Sequence, residues 1–143
     1  MQLTINEPAA MAKAVEMTLG ELTPRADQAV VLGLIGDLGS GKTTFVQHLA
    51  RALGVTEPVT SPTFVIEKVY PLSSQSWKRL IHFDAYRLDS PEELAKLRFA
   101  EQLADPGNLI VVEWAERVAL LLPPDYRRLN FKFIDGETRE LSW

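Results

Sequence analysis

The chain has no cysteine and only two histidines, His48 and His82, among its 143 residues. The first absence excludes a disulfide scaffold, a thiolate metal centre and a cysteine nucleophile. The scarcity of imidazole argues against a structural zinc site. A basic surplus is missing as well: 15 Lys and Arg stand against 19 Asp and Glu, a net charge of −4 with a pI near 5.2. A protein that grips nucleic acid through its own phosphate-neutralising face needs the opposite balance. The deficit is even, with 5 basic and 7 acidic side chains in residues 1–71 and 10 and 12 in residues 72–143, so neither half is a basic arm or an acidic tail. Long hydrophobic runs are also lacking. The longest, Ala29–Ile35, has seven residues, where a membrane span needs about 20, and no membrane association is expected. The N-terminal MQLTINEPAAMAKAVEM has no basic segment leading into an apolar one, so no secretory signal is evident and a cytoplasmic location is expected. Glycine (8) and proline (9) are too few for a collagen-like or low-complexity chain.

What is present suits one ordinary domain spanning residues 1–143, with 46% hydrophobic and 24% charged residues, no internal repeat and no linker. Pro8–Leu19 reads as an amphipathic helix with Met11, Val15 and Leu19 at helical spacing. The continuous apolar run Ala29–Ile35 suits a central strand buried on both faces. Thr43–Leu53 reads as a helix burying Phe45, Val46, Leu49, Ala50 and Leu53, with Gly54 where a left-handed C-terminal cap belongs. Phe64–Tyr70, Leu80–Phe83 and Leu109–Val112 read as strands, the last two ending in Asp84 and Glu113. Asp89-Ser90-Pro91-Glu92-Glu93 is a helix start, with Ser90 as cap, and the helix is expected to run to about Leu103 with Leu94, Leu97, Ala100 and Leu103 on one face. Glu116–Leu122 suits a helical turn, and Leu129–Ile134 with Glu140–Trp143 a terminal hairpin around Asp135-Gly136. Short apolar strands alternating with helices predict an α/β domain: a three-layer fold on a mostly parallel sheet with antiparallel edge additions.

The chemistry is concentrated in Gly36-Asp37-Leu38-Gly39-Ser40-Gly41-Lys42-Thr43, which fits G-x-x-x-x-G-K-[ST] without deviation. Gly36, Gly39 and Gly41 permit backbone angles and close approaches that a Cβ would block. Successive backbone N–H groups then form an anion-binding concavity, and the helix that follows adds its positive end beneath a phosphate. Lys42 supplies a point charge to the terminal phosphates, and the Thr43 hydroxyl is a hard oxygen ligand for Mg²⁺. Four constrained positions match by chance in roughly half a percent of chains this long, and the strand-loop-helix context lowers that further. Nucleotide binding follows.

Such a loop needs an acidic partner for its metal at the end of a neighbouring strand. Asp84 and Glu113 both qualify, and the usual preference for aspartate there favours Asp84 slightly. In nucleotide switches a hydroxyl from the connection after the first helix closes over the γ-phosphate, and Thr63 in Thr60-Ser61-Pro62-Thr63-Phe64 is the candidate; an ordinary Pro turn entering a strand is the alternative. His82 has no second histidine at ligand spacing and is expected to orient a neighbour rather than bind metal. Trp114 belongs either to the core or over the site.

In order, GDLGSGKTTF at 36–45, SPTF at 61–64, HFDAYRL at 82–88 and EW at 113–114 resemble the bacterial TsaE (YjeE) family of P-loop ATPases, over about residues 5–140. That resemblance implies a P-loop NTPase-like fold and a role in making the threonylcarbamoyl modification of tRNA adenosine beside the anticodon. It implies ATP and Mg²⁺ as cofactors, with Gly39, Ser40, Gly41, Lys42, Thr43 and Thr44 around the phosphates and Thr43 with Glu113 as the magnesium partners. Thr63 and Asp84 would be catalytic with Lys42, while Trp114 and Arg139 would flank the nucleotide. The implied partner is the TsaD–TsaB complex, with tRNA reached only through it. The family often carries a glycine after the first turns of the helix that follows HxDxYR, where Lys96-Leu97-Arg98 here reads as continuing helix. Competing readings are a small-molecule kinase, which needs an acceptor pocket and an arginine-bearing lid, and a nucleotide-gated binding module. No N-K-x-D segment that would select guanine is present.

Overall fold

The computed structural model describes residues 1–60, 66–73, 76–88, 90 and 92–143, with Arg87 by its backbone alone. The apolar run expected as a central strand is β2 (Val30–Ile35), and five of its six residues are buried. It lies in a seven-stranded sheet of order β1-β7-β6-β2-β5-β4-β3. The other strands are β1 (Gln2–Ile5), β3 (Glu67–Pro71), β4 (Arg79–Asp84), β5 (Asn108–Glu113), β6 (Arg127–Phe133) and β7 (Arg139–Ser142). The middle four, β6-β2-β5-β4, run parallel. The flanking β3, β7 and β1 join antiparallel. Antiparallel pairing thus takes a larger share than expected, three of six neighbouring pairs, because β1 adds a strand beyond the terminal hairpin.

Two layers cover the sheet. Helices α1 (Pro8–Glu21) and α2 (Lys42–Ala52) pack on one face and against each other. Phe45, Val46, Leu49 and Ala50 of α2, and Leu53 after it, are buried there with Leu32, Leu34 and Leu80 of the sheet. Each such large side chain contributes about 1.5–3 kcal/mol relative to exposure. Gly54 closes α2 at φ 89°, in the left-handed cap expected of it. The opposite face carries α3 (Glu92–Ala95), α4 (Phe99–Leu103) and 3-10 turns at Ala85–Arg87, Ala115–Arg117 and Ala119–Leu121. Glu116–Leu122, expected as one helical turn, is therefore split between two of these turns.

The helix expected to run to Leu103 is broken. Arg98 sits at φ 61°, ψ 36°, which ends α3's turn and restarts the chain as α4. The break changes the phase of the apolar face: Ala100 is exposed and Phe99 is buried instead. Phe99 packs edge-on to Phe83, with centroids 5.2 Å apart at 87°. Of the expected start signal, Asp89 and Pro91 lie outside the described residues. At the other edge of the sheet β1, which no sequence pattern announces, pairs with β7 and brings Ile5–Pro8 beside the loop ahead of α2. Among the described residues no helix is long and apolar enough to cross a membrane.

Candidate functional site

Beyond Ile35 the chain turns through residues 36–41 into α2 at the carboxyl end of the parallel strands, where open α/β sheets place their ligands. At Gly36 the backbone passes so close to β6 that a Cβ would lie 2.4 Å from the Phe131 carbonyl oxygen. No side chain fits there. Gly39 and Gly41 also have positive φ, and Gly41 precedes α2 without any side-chain cap. The first-turn N–H groups of α2, which like those of any helix have no intrahelical acceptor, are consequently not taken up by a side-chain cap. Lys42, Thr43 and Thr44 line a cleft of about 720 Å³ with Gly39, Ser40 and Gly41.

Lys42 is buried, and its Nζ donates to the carbonyls of Gly36 (2.5 Å) and Asp37 (2.8 Å) and to Ser40 Oγ (3.2 Å). It also lies 4.1 Å from the centroid of the Trp114 ring. Burial lowers the pKa of the Lys42 ammonium below its ordinary value, opposed by the nearby carboxylates of Glu113, Glu116, Asp37 and Asp84. The cation is held largely dry among carbonyl dipoles and a ring face. An anion entering the cleft would restore the solvation it lacks.

Strand geometry collects the acids. Successive residues of a strand face opposite ways, so His82 and Asp84 share the face of Leu80, beneath the α1–α2 layer. The parallel register sets Asp84 beside Glu113, and Glu113 beside Leu34 at the end of β2. Glu113 Oε1 accepts from Thr43 Oγ1 at 2.8 Å, and its Oε2 lies 2.5 Å from His82 Nε2. Asp84 Oδ1 accepts from the Tyr86 backbone N–H at 3.0 Å, capping the 3-10 turn that follows β4. Both carboxylates and Trp114 line the cleft.

Trp114, directly after Glu113, has φ 61° and ψ 43°, an unusual backbone state for a bulky residue. Its ring is tilted 41° against Tyr86 with centroids 4.9 Å apart. Arg139 reaches the same loop from β7: Nε donates to the Gly39 carbonyl at 2.6 Å and Nη1 to Asp135 O at 2.7 Å, with the guanidinium over Phe133. The terminal hairpin is thereby tied to the glycine-rich loop.

Every site residue expected from the sequence that the structure describes gathers at this end of the sheet. Gly36 lies beneath the cleft, holding Lys42 by its carbonyl, while the others line it. Thr63 and its neighbours 61–65 lie outside the described residues. The cleft also takes in Ile5, Glu7, Met11, His48, Tyr86 and Glu137, which the sequence reading did not single out. A signal existed only for Tyr86, two residues beyond Asp84 in the HFDAYRL block. Among the described residues no three His, Cys, Asp or Glu cluster as a metal cage. The adjacent Thr43 hydroxyl and Glu113 carboxylate offer oxygen donors alone, which suits a hard divalent ion completing its shell with phosphate oxygens and water.

The family model described as threonylcarbamoyl adenosine biosynthesis protein TsaE matches residues 6–141. The tRNA threonylcarbamoyladenosine biosynthesis protein TsaE of Rickettsia conorii is 36% identical over 140 residues, covering 97% of this chain and 75% of that protein. Its namesake from Streptomyces coelicolor is 42% identical over 117 residues, 81% of this chain and 76% of that one. Among solved structures, Bacillus subtilis YdiB superposes with a TM-score of 0.74 at 29% identity, covering 99% of this chain and 82% of that one. The match runs through the glycine-rich loop, both acidic strand ends and the terminal hairpin, and the chain belongs to the TsaE family of threonylcarbamoyl adenosine biosynthesis proteins.

Proposed function

We propose that this chain is a magnesium-dependent ATPase, slow on its own, that serves the threonylcarbamoyl modification of tRNA adenosine as an accessory to a TsaD–TsaB complex. The observation that carries the reading is the 2.8 Å contact between Thr43 and Glu113, set beside the buried Lys42. In a phosphate-binding loop this is the pairing that holds Mg²⁺ against a nucleotide. The ion, when bound, would neutralise charge on the terminal phosphates. Lys42 and the backbone of residues 39–44 bind those phosphates. Asp84, one strand away in register with Glu113, orients the attacking water. Thr63, which lies outside the described residues, is the candidate for a further hydroxyl, and Trp114 and Arg139 flank the nucleotide.

The acidic balance of the chain supports an indirect route to tRNA. Its nucleotide state is then read by the partner proteins in the cytoplasm, through contacts that differ between the ATP and ADP forms. Linkage makes this reciprocal: whatever factor ATP adds to assembly, assembly adds to ATP affinity. Titrating the chain into purified TsaD–TsaB with ATP, with ADP and without nucleotide tests the reading, with modified tRNA measured alongside. Tighter assembly with ATP, and modification that requires the chain, are expected. Equal affinity in all three states, or tight binding of unmodified tRNA by this chain alone, would contradict it.

A further inference from the structure

His82 has no exposed surface, and its ring sits in a layer built mainly from aliphatic and aromatic side chains. Its Nε2 meets Glu113 Oε2 at 2.5 Å, while Nδ1 is buried with no hydrogen-bond partner among the described residues. A carboxylate only accepts, so a ring hydrogen lies on Nε2 and points at Glu113. Leaving a buried polar atom unpaired is unfavourable. An apolar side chain of similar volume would avoid that cost, so packing alone does not account for a histidine here. What the histidine adds is one hydrogen bond, aimed at Glu113.

That bond acts on a carboxylate that is itself buried, at 3% exposure. One oxygen is taken by His82 and the other faces Thr43. A glutamate has enough side-chain torsions to swing either oxygen, or both, toward the cleft. With Oε2 held from below, only Oε1 is presented beside the Thr43 hydroxyl. We propose that His82 is a positioning residue for Glu113, restricting it to a single-oxygen contact with the divalent ion. This rests on the magnesium role given to Glu113 above. Partners of this kind, one step removed from a metal, typically set its affinity by 10–100-fold.

Calorimetric titration of ATP at graded Mg²⁺ into the whole chain tests the assignment, with melting curves to establish that each variant folds. His82→Phe keeps the ring volume and loses the donor. It should raise the Mg²⁺ needed for half-maximal tightening by roughly 10-fold or more, with metal-free ATP affinity unchanged. His82→Gln, whose amide reaches Glu113 and donates, should restore most of the wild-type magnesium dependence. In a Glu113→Gln background His82→Phe should add no further loss, since the two act through one contact. Should His82→Phe not fold, His82→Asn, too short to reach, carries the same expectation. A wild-type magnesium curve in the donor-less variant, or equal loss with and without metal, would overturn the proposal. A Gln variant as impaired as Phe would do the same. If wild-type protein itself shows no magnesium dependence, the ATPase reading falls first, so the two failures are distinguishable.

Discussion

Lys42 carries a charge into a site where only 5% of its surface meets solvent. Its three donated hydrogen bonds go to the loop's own oxygens, so in this state the side chain braces the loop from Gly36 to Ser40. A phosphate would compete for that ammonium, and a charge-assisted bond in a buried setting contributes about 1.5–3 kcal/mol. Lys42→Ala should therefore weaken ATP binding by roughly 10- to 150-fold, read by calorimetry. Wild-type affinity in that variant would mean the phosphates lie elsewhere. The role proposed for Lys42 is legible in the sequence because spacing within eight residues defines it. The choice between Asp84 and Glu113 is not. Both end apolar strands, and which one meets Thr43 depends on register between β2, β4 and β5, whose pairing spans long separations in the chain. His82 shows the same limit: its reach to Glu113 comes from two strands being neighbours, a fact absent from either strand's own pattern.

At the scale of single elements, α2 and β2 follow the sequence pattern closely because each is defined by its own burial. Continuous apolar residues make a strand covered on both sides, and helical spacing makes one buried face. The segment after β4 departs from its pattern. Its spacing supports one helix, yet Arg98 adopts the left-handed conformation that costs a side-chain-bearing residue about 1–2 kcal/mol. Burying Phe99 against Phe83 offsets that cost by a gain that a regular helix would have assigned to Ala100. A glycine at this position would meet the same backbone demand without strain. Arg98→Gly should accordingly stabilise the fold by about 0.5–1 kcal/mol, the relief of strain less the entropy of glycine. The exposed pair it loses, Arg98 with Glu101, contributes little. Chemical denaturation would measure this, and a destabilised variant would show that the arginine side chain itself holds the turn.

Over the whole molecule, the sheet brings distant parts of the chain to one cleft. The central parallel strands deliver the glycine-rich loop and the two carboxylates, and the antiparallel edge delivers Ile5–Pro8 from one terminus and Gly136–Arg139 from the other. The first group carries motifs and is visible in the sequence. The second is half visible: the Asp135-Gly136 turn and Arg139 can be singled out from the sequence, whereas β1 is a four-residue strand whose partner, β7, lies at the opposite end of the chain. The glycine-rich-loop end of the cleft is therefore readable residue by residue, and the Ile5–Pro8 side only through topology. The account as a whole depends on Glu113, not Asp84, being the partner of Thr43 for the metal. The direct test is ATP binding and phosphate release as functions of Mg²⁺ for the wild type, Glu113→Ala and Asp84→Ala. Glu113→Ala should lose the magnesium dependence of binding. Asp84→Ala should keep it and lose turnover, because orienting water matters more in the transition state than in the ground state. The opposite pattern, with Asp84→Ala insensitive to magnesium and Glu113→Ala still responsive, would contradict the arrangement described.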